Sequence, residues 1–440
     1  MRQDVRGYPV DTESDAAVIA FDTCIARFFE FRADAAEYAD AAIAADPECA
    51  MAQLLKGYLL MGAQSRKMLP VIQGHMDAAA AKGLDSRGQG WLAGLKALHG
   101  NDLAAASLAF YAHLAEWPVD LFILKQMQQQ SLFWRGRSLE LRDSMLRVSH
   151  AWTENLEGFG HYQGMLAFGY EEAGDYATAE RHGRASVARN PNDIWGIHSV
   201  AHVLEMQGRH AEGIQWINYP LDAWADRAPL ARHIWWHRAL FHWDSGNYEG
   251  ALNLFDNAVY PSDSAAYIDI QNATSLLWRL EMTGVDVGDR WEVMAGQAET
   301  ILDDQLLAFT DTHIAAALNR TGRGEAVARH RQTLAERADG DGWGAKLTQD
   351  ATLPLADAVQ AYFYGDYARA CDGFLGCMED WSRVGGSHAQ RDLYAQALID
   401  SAVKAGRKPL AQALLAERGA QHAASKGVPY WRAQMAASEF

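Results

Sequence analysis

Histidines spaced one helical turn apart are the residues of this chain best suited to chemistry. In NDIWGIHSVAHVLEM (192–206), His198, His202 and Glu205 fall at i, i+4 and i+7, so a helix here sends all three side chains from one face. LARHIWWHRALFHW (230–243) repeats the device with His233 and His237. Asp311 and His313 in FTDTHIAA add a carboxylate and an imidazole, and His161 stands upstream in GFGHYQGM. Eight of the sixteen histidines lie between His161 and His242, which makes a shared site the feature to explain.

Two kinds of chemistry fit these types. Imidazoles at i and i+4 can bind one ion, and a nearby carboxylate completes the shell or acts as base. On that reading His198, His202, His233, His237 and His313 hold a divalent cation such as zinc or iron, and Glu205 or Asp311 carries protons in a hydrolase or oxygenase. On the other reading His161, His198, His202, Glu205, His233, Trp236, His237, His313 and Arg391 surround a small polar ligand or a short peptide, with Glu205 tuning the imidazoles. A third account makes each histidine a hydrogen-bonded core residue bridging helices. The metalloprotease pattern HExxH is absent, since Ser199 follows His198, and no ExxH pair of the di-iron type occurs. Whether the chain is an enzyme stays open at this level.

The elements that must position these residues are helices. A small residue, usually glycine, ends apolar helical stretches in the series Gly62, Gly100, Gly136, Gly174, Gly208, Gly246, Gly284, Gly322, Gly365 and Gly406, with steps from 34 (Gly174 to Gly208) to 43 (Gly322 to Gly365). Helices commonly end on a left-handed residue, which glycine adopts without steric penalty. Five residues on, the returning helix presents a small side chain where the pair crosses: Ala105, Ala179, Gly213, Ala251, Ala370 and Ala411. The pattern predicts an all-α, right-handed solenoid of about ten helical hairpins forming a single domain over 1–440. Residues 1–13 read as an N-terminal tail, Ser14 to Asp46 as a first hairpin capped by Thr12 or Ser14, and 407–440 as capping helices.

GYEEAGDYATAERHGRASVARNP resembles a tetratricopeptide repeat, with its turn glycine, tyrosine, small residue and closing proline. The order of HSVAHVLEM, ARHIWWHRALFHWDSGNYEGAL, GDRW, FTDTHIAAAL and GGSHAQRD is similar to the tetratricopeptide repeat protein 38 family over almost the whole chain. The resemblance implies a helical repeat fold whose central block carries HxxxHxxE, HxxxH and DxH, here His198, His202, Glu205, His233, His237, Asp311 and His313. It brings no catalytic assignment. In ordinary tetratricopeptide arrays the first helix of each hairpin lines a concave surface, and His198, His202 and Glu205 occupy positions that resemble those groove sites. An open groove would serve a scaffold for protein partners; the histidine and tryptophan content points instead to a closed pocket.

Composition narrows the partners. A net charge of −17, with acids scattered along the chain, argues against nucleic acid and anionic membranes. No apolar run approaches the ~20 residues that span a bilayer, and the first residues lack a signal-peptide core, so the cytoplasm is the expected compartment. The four cysteines form no CxxC pair and read as reduced, mostly buried thiols. A homo-oligomer is compatible with all of this. In GGSHAQRD, Ser387 with Gln390 is a capping box, the alternative being an anion site at that helix N-terminus assisted by Arg391.

Overall fold

The computed structural model describes residues 1–218, 221–227 and 230–437. These are all-helical apart from one short antiparallel pair, Arg2–Gln3 with Pro9–Val10, so the stretch expected to be a tail is a hairpin. Asp4, Val10 and Thr12 of that stretch are buried. No helix among the described residues is long and apolar enough to cross a membrane. All four cysteines are free and buried, and burial pushes the Cys24 and Cys49 thiols up to about 12.

The chain forms two compact units, one of Met1–Val200 with Pro220–Leu230 and one of Ala201–Tyr219 with Ala231–Phe440. In the first, helices pack as consecutive pairs: Asp15–Phe29 with Ala35–Ala45, Ala50–Met61 with Leu69–Ala80, Ser86–His99 with Leu103–Glu116, and Phe159–Glu172 with Tyr176–Arg189. Ser14 caps the first of these by accepting from the Ala17 amide at 3.2 Å. In the second, Tyr267–Met282 pairs with Arg290–Glu299, Ala308–Arg320 with Gly324–Ala338, Leu353–Phe363 with Tyr367–Gly376, and His388–Lys404 with Lys408–Gln421. The terminal helix covers Gly427–Ala437; positions 438–440 of the expected capping segment lie outside the described residues.

The turn glycines from Gly136 onward, among them Gly174 (φ 83°) and Gly406 (φ 68°), are left-handed as the periodicity predicts. Gly62 and Gly100 are not: their φ values are −61° and −74°, and Gln64 (φ 51°) and Asn101 (φ 53°) take the left-handed position after them. The shift propagates. Counting five from Asn101 gives Ala106, which is fully buried, whereas Ala105 is only half-buried. At the other crossings Ala179, Ala251, Ala370 and Ala411 are fully buried, as the spacing requires.

Gly213, in the helix His210–Ile217, shows why those positions stay small. A Cβ there would stand 2.4 Å from ring atoms of Phe241. Glycine to alanine in a helix interior ordinarily stabilises by up to ~1 kcal/mol, but here the overlap must displace a buried ring. Gly213→Ala is therefore expected to destabilise by about 1–3 kcal/mol, read as a lowered urea midpoint with unchanged slope.

Candidate metal centre

Two helices supply the imidazoles of the second unit. The helix Ile194–Met206 brings His202 and Glu205, and Leu230–Asp244 brings His233 and His237 one turn apart. All three histidines are buried, His202 and His237 completely. Each offers a ring nitrogen, and these nitrogens lie within 4.8 Å of one another. Ring centroids are 4.4 Å apart for His202 and His237, 4.8 Å for His233 and His237, and 6.5 Å for His202 and His233.

Outer partners orient two of the three rings. His237 Nδ1 lies 2.5 Å from Glu205 Oε2, and His233 Nδ1 lies 2.8 Å from Asn272 Oδ1. An imidazole bonded to oxygen through Nδ1 turns Nε2 toward a shared centre, the arrangement that orients metal-bound histidines in proteins. Trp236 stacks on His233 at 5.0 Å and 12°, meets His237 edge-on at 4.8 Å, and donates its indole N–H to Ser275 Oγ at 2.8 Å. The rings are thus clamped on their apolar side as well.

Electrostatics keeps the imidazoles neutral, the state a metal ligand needs. Burial lowers His233 and His237 to about 3, with His237 adding to the effect on His233. His202 is held well below its ordinary value by burial and then by His237 and His233. Glu205 moves the other way: burial raises it to about 8 against the opposing pull of Arg279. Arg279 lies with its guanidinium over Trp236 at 5.7 Å and donates to the Ala389 carbonyl at 3.0 Å. Its charge disfavours a cation nearby, whereas Glu205, Asp392 and Asp244 oppose that charge.

Glu205 also borders a cavity of about 20 Å³, shared with Asp244, Asp392, Gln396 and Arg418. That is room for about one water molecule. Asp392 is held far below the usual carboxylate range: burial raises it, but the Arg418 guanidinium, 2.6 Å away, together with His422 and Arg279 overcomes that effect.

The other expected site residues are placed as follows. His198 precedes His202 by one turn on the same helix and is buried in the first unit between Trp195 (4.7 Å) and Phe168 (5.6 Å). His161, also of the first unit, bonds Asp193 at 3.2 Å. His313 is not grouped with the other imidazoles: its Nδ1 donates to the Phe309 carbonyl of its own helix at 2.7 Å, and the ring packs on Phe309 at 4.4 Å. Asp311 is buried with His330 Nε2 at 3.9 Å. Arg391 donates to the Gly386 carbonyl and so holds the loop before its own helix. The capping box is present, with Ser387 Oγ accepting from the Gln390 amide at 3.2 Å and Gln390 Oε1 accepting from the Ser387 amide at 2.9 Å.

Asn272 and Arg279 escaped the sequence reading. A visible signal existed for Arg279, an arginine inside the apolar run SLLWRLEM, because a fully buried arginine is rare unless it has partners. No protein-family model matches this chain.

Proposed function

We propose that this protein binds a transition-metal ion through His202, His233 and His237. The observation that carries the proposal is the convergence of three buried, neutral imidazoles whose ring nitrogens lie within 4.8 Å of one another. Converging buried imidazoles are a donor set suited to zinc, and also to iron or copper. Glu205 acts as the outer carboxylate that orients His237. His198 leaves the same helical face one turn earlier and supplies a further imidazole to that face.

A second reading, hydrolysis by a metal-bound water, is favoured by one feature. Glu205 bonds a ligand imidazole and also borders a water-sized cavity, so a group able to carry a proton stands beside the site. We also propose that the helical pairs within each unit are tetratricopeptide-like repeats of the family the sequence resembles. The recurrent left-handed glycines and fully buried alanines support this.

The test is elemental analysis of the full chain, purified without a histidine tag, stripped with chelator and reloaded with zinc. About one ion per chain is expected, as a single three-imidazole site holds. Glu205→Gln is expected to weaken zinc by about 10–100-fold, the usual loss on removing an outer carboxylate. Failure of the stripped protein to take up zinc, cobalt, iron or copper would overturn the proposal.

A further inference from the structure

A second candidate site lies wholly within the first unit and has His161 among its lining residues. A cavity of about 350 Å³ opens between the N-terminal hairpin, the helix Asp15–Phe29 and the loop before Phe159. Its volume falls in the range of small-molecule pockets. One wall is apolar, built from Ile25, Phe29 and Leu121, each at most 3% exposed.

The lining also carries two charged groups with unmade hydrogen bonds. The Arg6 side chain is 3% exposed, yet its Nε and Nη2 have no hydrogen-bond partner. Its nearest carboxylate, Asp4, is committed elsewhere. Asp4 Oδ2 accepts from Arg87 Nη2 at 2.8 Å and stands 3.9 Å from Arg6 Nη2, while Asp4 Oδ1 accepts from the amides of Arg6 and Tyr8 at 2.9 and 3.0 Å. Nε and Nη2 form the side-on edge of the guanidinium, which matches two carboxylate oxygens.

Asp22 repeats the pattern with opposite sign. Its Oδ2 accepts from the Val5 amide at 3.1 Å, and its Oδ1 is buried with no partner. Arg6 and Asp22 form no ion pair with each other among the described residues, and Glu157 adds a second carboxylate at the rim. Burial and the nearby Asp4 push the Asp22 carboxyl up to about 6 against the opposing charge of Arg6, and an approaching cation would lower it further. Buried polar atoms left unpaired are disfavoured by about 1–3 kcal/mol each, more when charged, so such a pair beside a cavity calls for a complementary guest.

We propose that this cavity binds a free α-amino acid with an apolar side chain. Its carboxylate takes the Nε and Nη2 edge of Arg6, its ammonium bonds Asp22 Oδ1 with Glu157 nearby, and its side chain lies against Ile25, Phe29 and Leu121. A zwitterion satisfies both charged groups without adding net charge. A plain carboxylate would leave Asp22 unpaired, and a plain amine would leave Arg6 unpaired.

Isothermal titration of the full chain tests this with L-leucine and L-phenylalanine, their des-amino acids 4-methylpentanoate and 3-phenylpropanoate, and the amines isoamylamine and phenethylamine. Saturable binding is expected for at least one amino acid, at least tenfold tighter than for either of its truncated analogues. Arg6→Lys, which keeps the charge and loses the side-on edge, and Asp22→Asn are each expected to weaken that binding at least tenfold, with circular dichroism confirming the fold. His202→Gln should leave it unchanged. No binding of either amino acid at millimolar concentration, equal binding of an acid or amine alone, or indifference to both Arg6→Lys and Asp22→Asn in folded protein would each overturn the proposal.

Discussion

Protein carrying His202→Gln together with His237→Gln is expected to lose zinc affinity by well over the ~100-fold that an outer-shell change produces. The reason is geometric. These two rings have the shortest centroid separation of the three, 4.4 Å, and come from different helices, so removing both leaves His233 as the sole imidazole of the trio. Glutamine keeps a polar group of similar reach in each buried position, which limits the damage to packing. Competition with a chromophoric chelator measures the loss. A linked effect follows: zinc at 100 times its dissociation constant should stabilise the wild-type protein by about 2.7 kcal/mol and leave the double variant unmoved. Equal thermal shifts in both proteins would place the ion elsewhere.

Asp120→Ala is expected to have the largest effect on stability in the first unit. Asp120 Oδ2 receives Arg87 Nε at 3.1 Å, the Trp91 indole N–H at 2.9 Å and His113 Nε2 at 3.1 Å, all fully or almost fully buried. Arg87 in turn binds Asp4 at 2.8 Å and the Pro9 carbonyl at 2.9 Å, tying the N-terminal hairpin to the Ser86–His99 helix. Removing one partner of such a pair leaves an uncompensated buried charge, which costs about 3–5 kcal/mol. The urea midpoint reads this loss.

The same network has a pH signature. Burial alone would raise Asp120, but the Arg87 guanidinium, then His113 and Trp91, hold it far below the usual carboxylate range. A folded-state value below the unfolded one contributes stability that is fully present above the ordinary aspartate value of about 3.9 and fades as pH falls beneath it. Wild-type stability should therefore drop more steeply below about pH 4 than that of Asp120→Ala. Parallel acid profiles would mean that the network does not hold the carboxylate in its charged form.

Much of the local architecture was legible because local rules govern it. The interval of turn glycines, the Ser14 cap and the Ser387/Gln390 box depend on residues a few positions apart. The early glycines misled because Gly62 and Gly100 leave the left-handed position to Gln64 and Asn101, and neither of those types advertises it as glycine does. Histidine spacing placed His202 with Glu205, and His233 with His237, on shared helical faces. It could not tell which other imidazoles join them, because that depends on packing between elements far apart in sequence. His313 and Arg391 go to carbonyls four and five positions back, those of Phe309 and Gly386, and His161 goes to Asp193, 32 positions on; the spacing of the histidines foretells none of these partners. Asn272 orients His233 across 39 positions, a relation that no periodicity encodes.

Cobalt(II) titration of the full, untagged chain, followed by visible absorption, tests the metal assignment most directly. The expected result is saturation at about one equivalent with the strong ligand-field bands of a four- or five-coordinate site rich in nitrogen, reversed by zinc and abolished in the His202→Gln, His233→Gln, His237→Gln triple variant. A spectrum no stronger than that of the hydrated ion, or identical bands in the folded triple variant, would contradict it.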